Sequence, residues 1–178
     1  MRRGAVDPDA YTFPVVLKAC GCVPGCRVGL LVHAEAVRRG LDRDLFTRNE
    51  LISFYCRSGD CRSGRRVFDD GARDLVSWNS MVAGYVWCGE VELAQELFNE
   101  MPHRDAFSWA AMIDAYGKRS GEGLQIFHRM KKDFGIDPKV EHYGALVDLL
   151  GRAGHLDQAR HAIETMPMEP TLSASLNG

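Results

Sequence analysis

Six cysteines could bind a metal ion or form disulfides, and their spacing limits both roles. They are Cys20, Cys22, Cys26, Cys56, Cys61 and Cys88. The spacings are C-x-C, C-x3-C and C-x4-C, whereas a tetrahedral zinc site usually draws on paired C-x2-C knuckles. Nothing resembling a signal peptide precedes them, so a secreted disulfide framework is not indicated. The pattern predicts structural or incidental thiols in a reducing compartment, with no cofactor.

Composition and charge limit the classes of partner that the chain can bind. The chain has 178 residues, of which 46% are hydrophobic and 26% charged, values typical of one folded domain. Its net charge is -2, so any contact with nucleic acid needs a local basic stripe. No apolar run approaches the ~20 residues of a membrane helix, and the start M-R-R-G-A-V-D is typical of neither a secretory leader nor a transit peptide. We therefore expect no membrane contact.

A string of eight residues recurs along the chain and indicates a repeat architecture. W-N-S-M-V-A-G-Y at 78–85 returns as W-A-A-M-I-D-A-Y at 109–116, and more loosely at three other places. The strings begin at Phe13, Arg48, Trp78, Trp109 and Tyr143, so that successive starts are 35, 30, 31 and 34 residues apart. Spacing of this kind is typical of a solenoid.

A second pattern follows each string and predicts a second helix. A small residue is followed three and four places later by bulkier ones, which places all three on one helical face. The small residues are Gly29, Gly64, Ala94, Gly123 and Ala159. The glycines expected to end the first helix are Gly21, Gly59, Gly89, Gly121 and Gly154. The acidic N-caps expected before the strings are Asp44, Asp74 and Asp105. The sequence therefore predicts antiparallel helical hairpins, which must stack to bury their apolar faces.

Three segments carry a family resemblance. V-S-W-N-S-M-V-A-G-Y, E-L-F-N-E-M-P-H-R-D and V-E-H-Y-G-A-L-V-D-L-L-G-R-A-G-H-L-D-Q-A resemble the plant pentatricopeptide-repeat family, specifically its class with alternating repeat lengths. The tetratricopeptide family has a similar period, but its W-x2-L-G-x2-Y pattern is not found here. The resemblance implies an all-α, right-handed α-solenoid of about five hairpins. The repeats would occupy 10–44, 45–74, 75–105, 106–139 and 140–170. Residues 1–9 resemble the end of a preceding repeat, and 171–178 the start of a C-terminal extension that breaks off.

The fourth repeat departs from the pattern. Tyr116 and Phe127 are 11 residues apart, whereas the equivalent Tyr85 and Phe98 are 13 apart. We therefore expect an inter-helix turn that is two residues short. One hypothesis is that an internal deletion or a mis-spliced gene model joined two distant repeats between Arg119 and Ser120. The region 117–123 is then expected to be the least stable part of the fold.

The resemblance also implies a site. In this family the first helix of each hairpin lines a groove for single-stranded RNA, and one base is read per repeat by two side chains. Carried over to this chain, the reading pairs are Asn49 with Asp74 and Asn79 with Asp105, and both resemble the combination associated with uridine. The alternative is that the asparagines are solvated helix-start residues and the aspartates are only helix caps. The pairs that fit no reading combination are Pro14 with Asp44, Ala110 with Lys139, and Gly144 with Pro170.

Three cations stand at one register near the ends of the first helices. Arg57, Lys118 and Arg152 resemble the phosphate-contacting positions of the family, and Trp87 and Cys22 fill the same place in two other repeats. The alternative is that these cations only favour the helix macrodipole. Residues one place beyond the reading position vary, so no base sandwich is expected; they are Val15, Glu50, Ser80, Ala111 and Ala145.

The function implied by the resemblance is site recognition in organellar RNA processing, in particular C-to-U editing, in a mitochondrion or chloroplast. No transit peptide is visible in this chain. The implied partners are single-stranded RNA and editing-complex proteins or a deaminase acting in trans, with the chain itself a monomer. We expect no enzymatic activity, because His33-Ala34-Glu35 spells H-x-E but no P-C-x-x-C follows. The alternatives are a protein-interaction scaffold and a non-functional fragment of a larger protein.

Overall fold

The chain folds into consecutive helical hairpins. The computed structural model describes residues 8–9, 11–23, 25–120 and 123–167, without the side chains of residues 118–120. Within that part of the chain there are ten α-helices, one 3-10 helix at Leu41–Arg43 and no strand. The α-helices are α1 (Thr12–Gly21), α2 (Val28–Arg38), α3 (Leu45–Arg57), α4 (Cys61–Asp69), α5 (Leu75–Cys88), α6 (Val91–Glu100), α7 (Ala106–Ser120), α8 (Gly123–Phe134), α9 (Val140–Arg152) and α10 (Leu156–Thr165). The prediction of an all-α fold with five hairpins is confirmed.

The helices form two compact units. The first extends to His103 and contains α1 to α6; the second begins at Arg104 and contains α7 to α10. In the first unit α3 is central, because it packs against α1, α4 and α5. In the second unit α7 packs against α8 and α9, and α9 packs against α10. The first helix of a hairpin thus contacts both its own partner and the next hairpin.

Carboxylates start the first helices, as the sequence predicts. The side chain of Asp44 accepts a hydrogen bond of 2.9 Å from the backbone N–H of Thr47 at the start of α3. Asp105, directly before α7, accepts one of 3.0 Å from the N–H of Ser108. Each bond satisfies a backbone donor that the first helical turn leaves without an intrahelical partner. The helices α3, α5, α7 and α9 begin at residues 45, 75, 106 and 140, where the repeats were expected to begin.

Glycine ends most of the first helices. Gly59, Gly89 and Gly154 adopt φ values of 81°, 78° and 79°, which favour glycine over residues with a Cβ. Gly21 ends α1 as expected, but without a positive φ. The positive φ of the first hairpin, 71°, occurs at Gly25 in its longer turn. Gly121 lies outside the described residues.

The fourth hairpin is shortened at the start of its second helix, and not in the turn. α8 begins at Gly123, four residues before Phe127, whereas α6 begins at Val91, seven residues before Phe98, and α7 with 15 residues is one residue longer than α5. The expectation of a turn two residues short is therefore wrong, because two residues separate α7 from α8 just as two separate α5 from α6. Residues 121–122, 1–7 and 168–178 lie outside the described part of the chain, so the expected repeat remnant and nearly all of the C-terminal extension do as well.

Aromatic rings connect successive hairpins within each unit. Trp78 of α5 packs edge-on against Phe68 of α4, with ring centroids 4.9 Å apart, and Tyr143 of α9 packs in the same way against Phe127 of α8, also at 4.9 Å. In both pairs the first residue of a repeat string meets the second helix of the preceding hairpin. Edge-to-face contacts of this kind add to the gain from apolar burial. The string aromatics thus stabilise the stacking that the repeats require.

Two cysteines differ from expectation. The sequence predicts structural or incidental thiols, but the sulfur atoms of Cys61 and Cys88 are bonded at 2.12 Å. The physical reason is helix packing: Cys61 opens α4, Cys88 closes α5, and α4 packs against α5. Because the pair is 27 residues apart in sequence, spacing alone does not reveal it. The remaining cysteines are not disulfide-bonded.

The helices found in the described residues are too short, or too polar, to cross a lipid bilayer.

Glycine at the contact between α3 and α5 yields a stability prediction. A Cβ at Gly84 would lie 2.7 Å from the Cβ of Cys56, so Gly84→Ala must push α3 and α5 apart. We expect a loss of about 1–3 kcal/mol from overpacking, which outweighs the gain of up to ~1 kcal/mol in helix propensity. Gly151→Ala in α9 is the matched control, because no surrounding atom lies within 4 Å of its new Cβ. If urea unfolding gives Gly84→Ala a free energy of unfolding equal to or higher than that of Gly151→Ala, this packing is contradicted.

Candidate nucleic-acid interface

Asn49 lies in the second turn of α3 and is bonded to the next hairpin. Its Nδ2 donates to Oδ1 of Asp74 at 3.2 Å, and the hydroxyl oxygen of Ser77 lies 2.6 Å from its Oδ1. Asn49 is 6% exposed, so the alternative that it is a solvated helix-start residue is wrong. The structure thus brings together the first predicted reading pair.

Asp74 has two structural roles. It is the N-cap of α5, where its carboxylate accepts a hydrogen bond of 2.8 Å from the N–H of Ser77. The hydroxyl of Ser77 lies 2.9 Å from the same carboxylate oxygen, so its single hydrogen has two acceptors, Asp74 and Asn49. Burial acts to raise the pKa of Asp74, but the hydrogen bonds from Ser77 and Asn49 hold that pKa below its ordinary value. Asp74 is therefore an ionised helix cap and the partner of Asn49.

The bonded amide keeps some hydrogen-bonding capacity. A primary amide has two N–H donors and two lone pairs on oxygen. Asp74 uses one donor of Asn49, and Ser77 uses one lone pair. One donor and one acceptor remain, which is the complement that a pyrimidine edge requires. The reading role of Asn49 stays a prediction, but its chemistry is suitable.

The second predicted pair is divided between the two units. Asn79 lies half-buried in the second turn of α5, in the first unit. Asp105 caps α7 in the second unit, as the alternative of a helix cap requires. The reading role of this pair also stays a prediction. At the same register the other hairpins place Pro14, Ala110 and Gly144, which offer no side-chain amide.

Exposed apolar side chains occur at a register that the sequence analysis did not consider. They stand three places before the reading position: Tyr11 is 76% exposed, Phe46 53%, Val76 55% and Phe107 56%. Residues three apart share one helical face, so Phe46 lies on the side of Asn49, and Val76 on the side of Asn79. Apolar surface beside an amide suits the face and edge of a nucleobase. In the repeats of Phe46 and Val76, the sequence signal for this apolar register is an apolar residue followed three places later by an asparagine.

The three predicted phosphate-contacting cations have different environments. Arg57 is the last residue of α3 and is exposed. Arg152 ends α9, where its guanidinium lies 2.7 Å from the carboxylate of Asp114 and 2.7 Å from that of Asp148, and these two acids raise its pKa. The side chain of Lys118 lies outside the described part of the chain. Arg57 is thus open to a phosphate, whereas Arg152 already has two anionic partners.

The H-x-E element is used for structural contacts. His33 Nδ1 lies 2.6 Å from the hydroxyl of Tyr55, and burial lowers the pKa of His33. The hydrogen bonds from Arg38 and Arg39 lower the pKa of Glu35 to about 2. Residues two apart on a helix point to different sides, so His33 and Glu35 do not converge. Among the described residues no group of three or more His, Cys, Asp or Glu side chains could hold a metal ion.

Comparison with known proteins identifies the repeats. A family profile described as PPR repeat matches residues 46–71 and 76–105. The chain is 38% identical over 171 residues to the pentatricopeptide repeat-containing protein CRR2, chloroplastic, of Arabidopsis thaliana, an alignment that covers 92% of this chain and 26% of that protein. The chain belongs to the pentatricopeptide-repeat family. It is also 32% identical over 176 residues to a mitochondrial pentatricopeptide repeat-containing protein of the same plant, covering 95% of this chain and 20% of that protein.

Solved pentatricopeptide-repeat structures share the fold. The crystal structure of PPR10 in complex with an 18-nt psaJ RNA element superposes with a TM-score of 0.76 at 22% identity, covering 91% of this chain and 25% of that one. The crystal structure of PPR10 from maize gives a TM-score of 0.66 at 22% identity, covering 89% of this chain and 24% of that one. The chain spans 20% to 33% of the length of the curated plant relatives to which it is similar.

The profile match falls on the two pentatricopeptide repeats that hold candidate reading asparagines. Residues 46–71 contain Asn49, and 76–105 contain Asn79 with Asp105. Asp74 lies in the short interval between the two matches. The repeats around Pro14, Ala110 and Gly144 lie outside them. Family likeness is therefore strongest where the candidate interface has its amides.

The Asn49–Asp74 bond yields a prediction about pH. The pKa of Asp74 in the fold lies below its ordinary value of 3.8, so its ionised form stabilises the fold above about pH 4, and this contribution is lost as the pH falls through the folded-state pKa. Asn49→Ala removes one donor and should move the Asp74 pKa toward 3.8, measured by NMR titration of its carboxyl carbon. Asp60, whose pKa is lowered by Ser63 at the start of α4, is the internal control and should not change. An unchanged Asp74 pKa would show that the amide does not bond the carboxylate in solution.

Proposed function

We propose that this segment binds single-stranded RNA and reads individual bases, at Asn49 with Asp74 and at Asn79 with Asp105. The observation that carries the proposal is the hydrogen-bonded Asn49–Asp74 pair, which joins consecutive hairpins. A side-chain amide held in this way presents a donor and an acceptor at fixed positions. Sequence-specific RNA recognition targets single strands, whose base edges are accessible.

The exposed apolar residues support binding of unpaired bases. Phe46 and Val76 stand in the first turns of α3 and α5, on the faces that carry Asn49 and Asn79. Bases splayed from a single strand need apolar or aromatic surface to cover their faces. The relative PPR10 has been crystallised with an 18-nt psaJ RNA element, which supports RNA as the ligand class.

The Asp74 carboxylate determines which way the Asn49 amide faces. If the amide turned by 180°, its oxygen would point at the ionised carboxylate, and the two acceptors would repel each other. Uracil and cytosine exchange an acceptor for a donor at ring position four, so an amide of fixed orientation can distinguish them. We propose uridine as the preferred base, in line with the family resemblance of the Asn–Asp pair.

The cellular role we propose is site recognition in organellar RNA processing, specifically C-to-U editing in a mitochondrion or chloroplast. Relatives named mitochondrial or chloroplastic support the organelle. In this role the segment selects the RNA sequence and performs no chemistry, and a deaminase or other editing-complex protein acts in trans. The assignment to the class with alternating repeat lengths belongs to the same proposal, because the helices of the five hairpins differ in length.

A second candidate function is a protein-interaction scaffold, which one observation favours. A groove of about 770 Å³ lies among α8, α9 and α10 of the second unit. Its apolar lining includes Leu124, Phe127, Tyr143, Leu146, Leu150 and Ala162. Largely apolar concave surfaces are typical of binding sites. If the wild-type chain binds a partner protein tightly but does not bind RNA, this function is supported over the first.

Asparagine replacement tests base reading. Asn79→Ala should reduce the preference for oligouridine over oligoadenosine of equal length by roughly 1 kcal/mol, the contribution of one base-edge hydrogen bond. Asn49→Ala should reduce this preference by a similar amount. Because Asn49 is buried, the thermal unfolding of this variant is measured as well, to check that it folds. Gly144→Ala is the matched control, since it changes the same register without meeting any surrounding atom within 4 Å. If all variants keep the wild-type preference in fluorescence anisotropy titrations, bases are not read at these positions.

Arginine replacement separates backbone contact from base reading. Arg57→Ala should weaken oligouridine and oligoadenosine alike and make the slope of log K against log salt less negative by roughly 0.7, the share of one phosphate on a single strand. Arg152→Ala should have a smaller effect, because Asp114 and Asp148 already occupy that guanidinium. A larger change of slope for Arg152→Ala than for Arg57→Ala would reverse the assignment.

A further inference from the structure

Trp87 is the most exposed tryptophan side chain that the structure describes, at 74% of its surface. Trp109 is 2% exposed and Trp78 is partly buried. Within the described part of the chain, the side chain of Trp87 makes no ring contact or hydrogen bond. A large aromatic side chain that is this exposed leaves apolar surface in water without any gain in packing.

Trp87 stands at the register of the proposed phosphate-contacting cations. It stands nine places after the start of its repeat string, where Arg57 and Arg152 stand in other repeats. Cations at these positions have a structural explanation, because positive charge at a helix C-terminus favours the macrodipole. An uncharged indole gains nothing from the macrodipole. Neither core packing nor helix electrostatics therefore accounts for tryptophan at this position.

The backbone that carries Trp87 is held at the C-terminal end of α5. The next residue, Cys88, is bonded to Cys61 of α4, and Gly89 closes α5 at φ 78° with its N–H on the carbonyls of Tyr85 and Val86. A side chain presented from a fixed backbone loses less conformational entropy when a ligand covers it. Trp87 is thus both exposed and positioned.

We propose that Trp87 is a stacking platform for a nucleotide of the bound RNA, an assignment that rests on the proposed function. The eight-residue step from Asn79 to Trp87 spans about 12 Å at ~1.5 Å per residue, so one base cannot contact both. Trp87 covers the base of a neighbouring nucleotide, at the place where Arg57 contacts a phosphate in the preceding repeat. Stacking on an indole is tolerant of base identity, because every base has a π-face. Trp87 thus supplies affinity, and the asparagines supply selectivity.

Substitution of Trp87 with two strands of equal length tests the platform. The probes are a dodecamer of uridine and an abasic dodecamer with the same sugar-phosphate backbone. Trp87→Ala should weaken binding of the uridine strand roughly five- to tenfold, the lower part of the range for one stacked base, and leave the abasic strand unchanged. Trp87→Phe is the matched control and should keep most of the affinity. Trp87→Lys should make the salt slope more negative by roughly 0.7, as for one added phosphate contact.

The outcomes separate this inference from the proposed function. Equal uridine affinity for wild type and Trp87→Ala, with Arg57→Ala weakened, overturns the platform and keeps RNA binding. Equal losses on the uridine and abasic strands overturn stacking, because they assign Trp87 to the backbone. No binding of either strand by wild type overturns both. Tryptophan fluorescence that is quenched by the uridine strand in wild type but not in Trp87→Phe supports direct contact, because Trp78 and Trp109 remain in both proteins.

Discussion

The carboxylate of Asp74 connects the stacking of the hairpins with the candidate interface. It accepts the N–H of Ser77 and thereby starts α5, and it accepts the amide of Asn49 from α3. An N-cap of this kind contributes about 1 kcal/mol to helix stability. The carboxylate that begins one repeat therefore also orients Asn49, the proposed reading residue of the repeat before it. A hairpin stacked in another register would keep this local helix cap but lose the Asn49–Asp74 bond that orients the amide, so the stacking of the fold constrains the proposed recognition.

Features with a local cause were predictable from the sequence, and features that depend on packing were not. Aspartate caps act within three residues, so Asp44, Asp74 and Asp105 could be placed before the helices they start. Gly21 does end α1, but the positive φ of the longer first turn lies at Gly25, whose preceding Pro24 is a local turn signal that the sequence analysis did not use. The Cys61–Cys88 bond depends on the contact of α4 with α5 and has no sequence spacing of its own.

Arg48 shows how packing changes the meaning of a repeat position. Its counterparts Trp78 and Tyr143 pack on phenylalanines of the preceding second helix. Arg48 is 7% exposed, and its guanidinium donates to the backbone carbonyl of Val67 and, at 3.3 Å, to that of Asp42. A buried guanidinium must find acceptors, and these two carbonyls supply them. The repeat thus tolerates a cation at a position where other repeats have an aromatic residue. An atypical residue in the repeat string does not distort the helix.

The candidate interface also depends on where charge is already neutralised. A net charge of -2 indicates no general attraction for RNA, so each cation counts separately. Arg152 lies between two carboxylates, and that group of three carries a net charge of -1, whereas Arg57 ends α3 exposed.

In the proposed reading role, selectivity comes from the asparagine amides more than from charge. At 6% exposure Asn49 is largely removed from water, so a base that leaves its remaining donor unpaired costs about 1–3 kcal/mol, whereas a matching base gains only about 1 kcal/mol. Rejection of the wrong base therefore contributes more to selectivity than attraction of the right one. The burial that produces this asymmetry arises from the packing of α3 against α5, so the contact that stabilises the stack is also the source of the proposed selectivity of the amide.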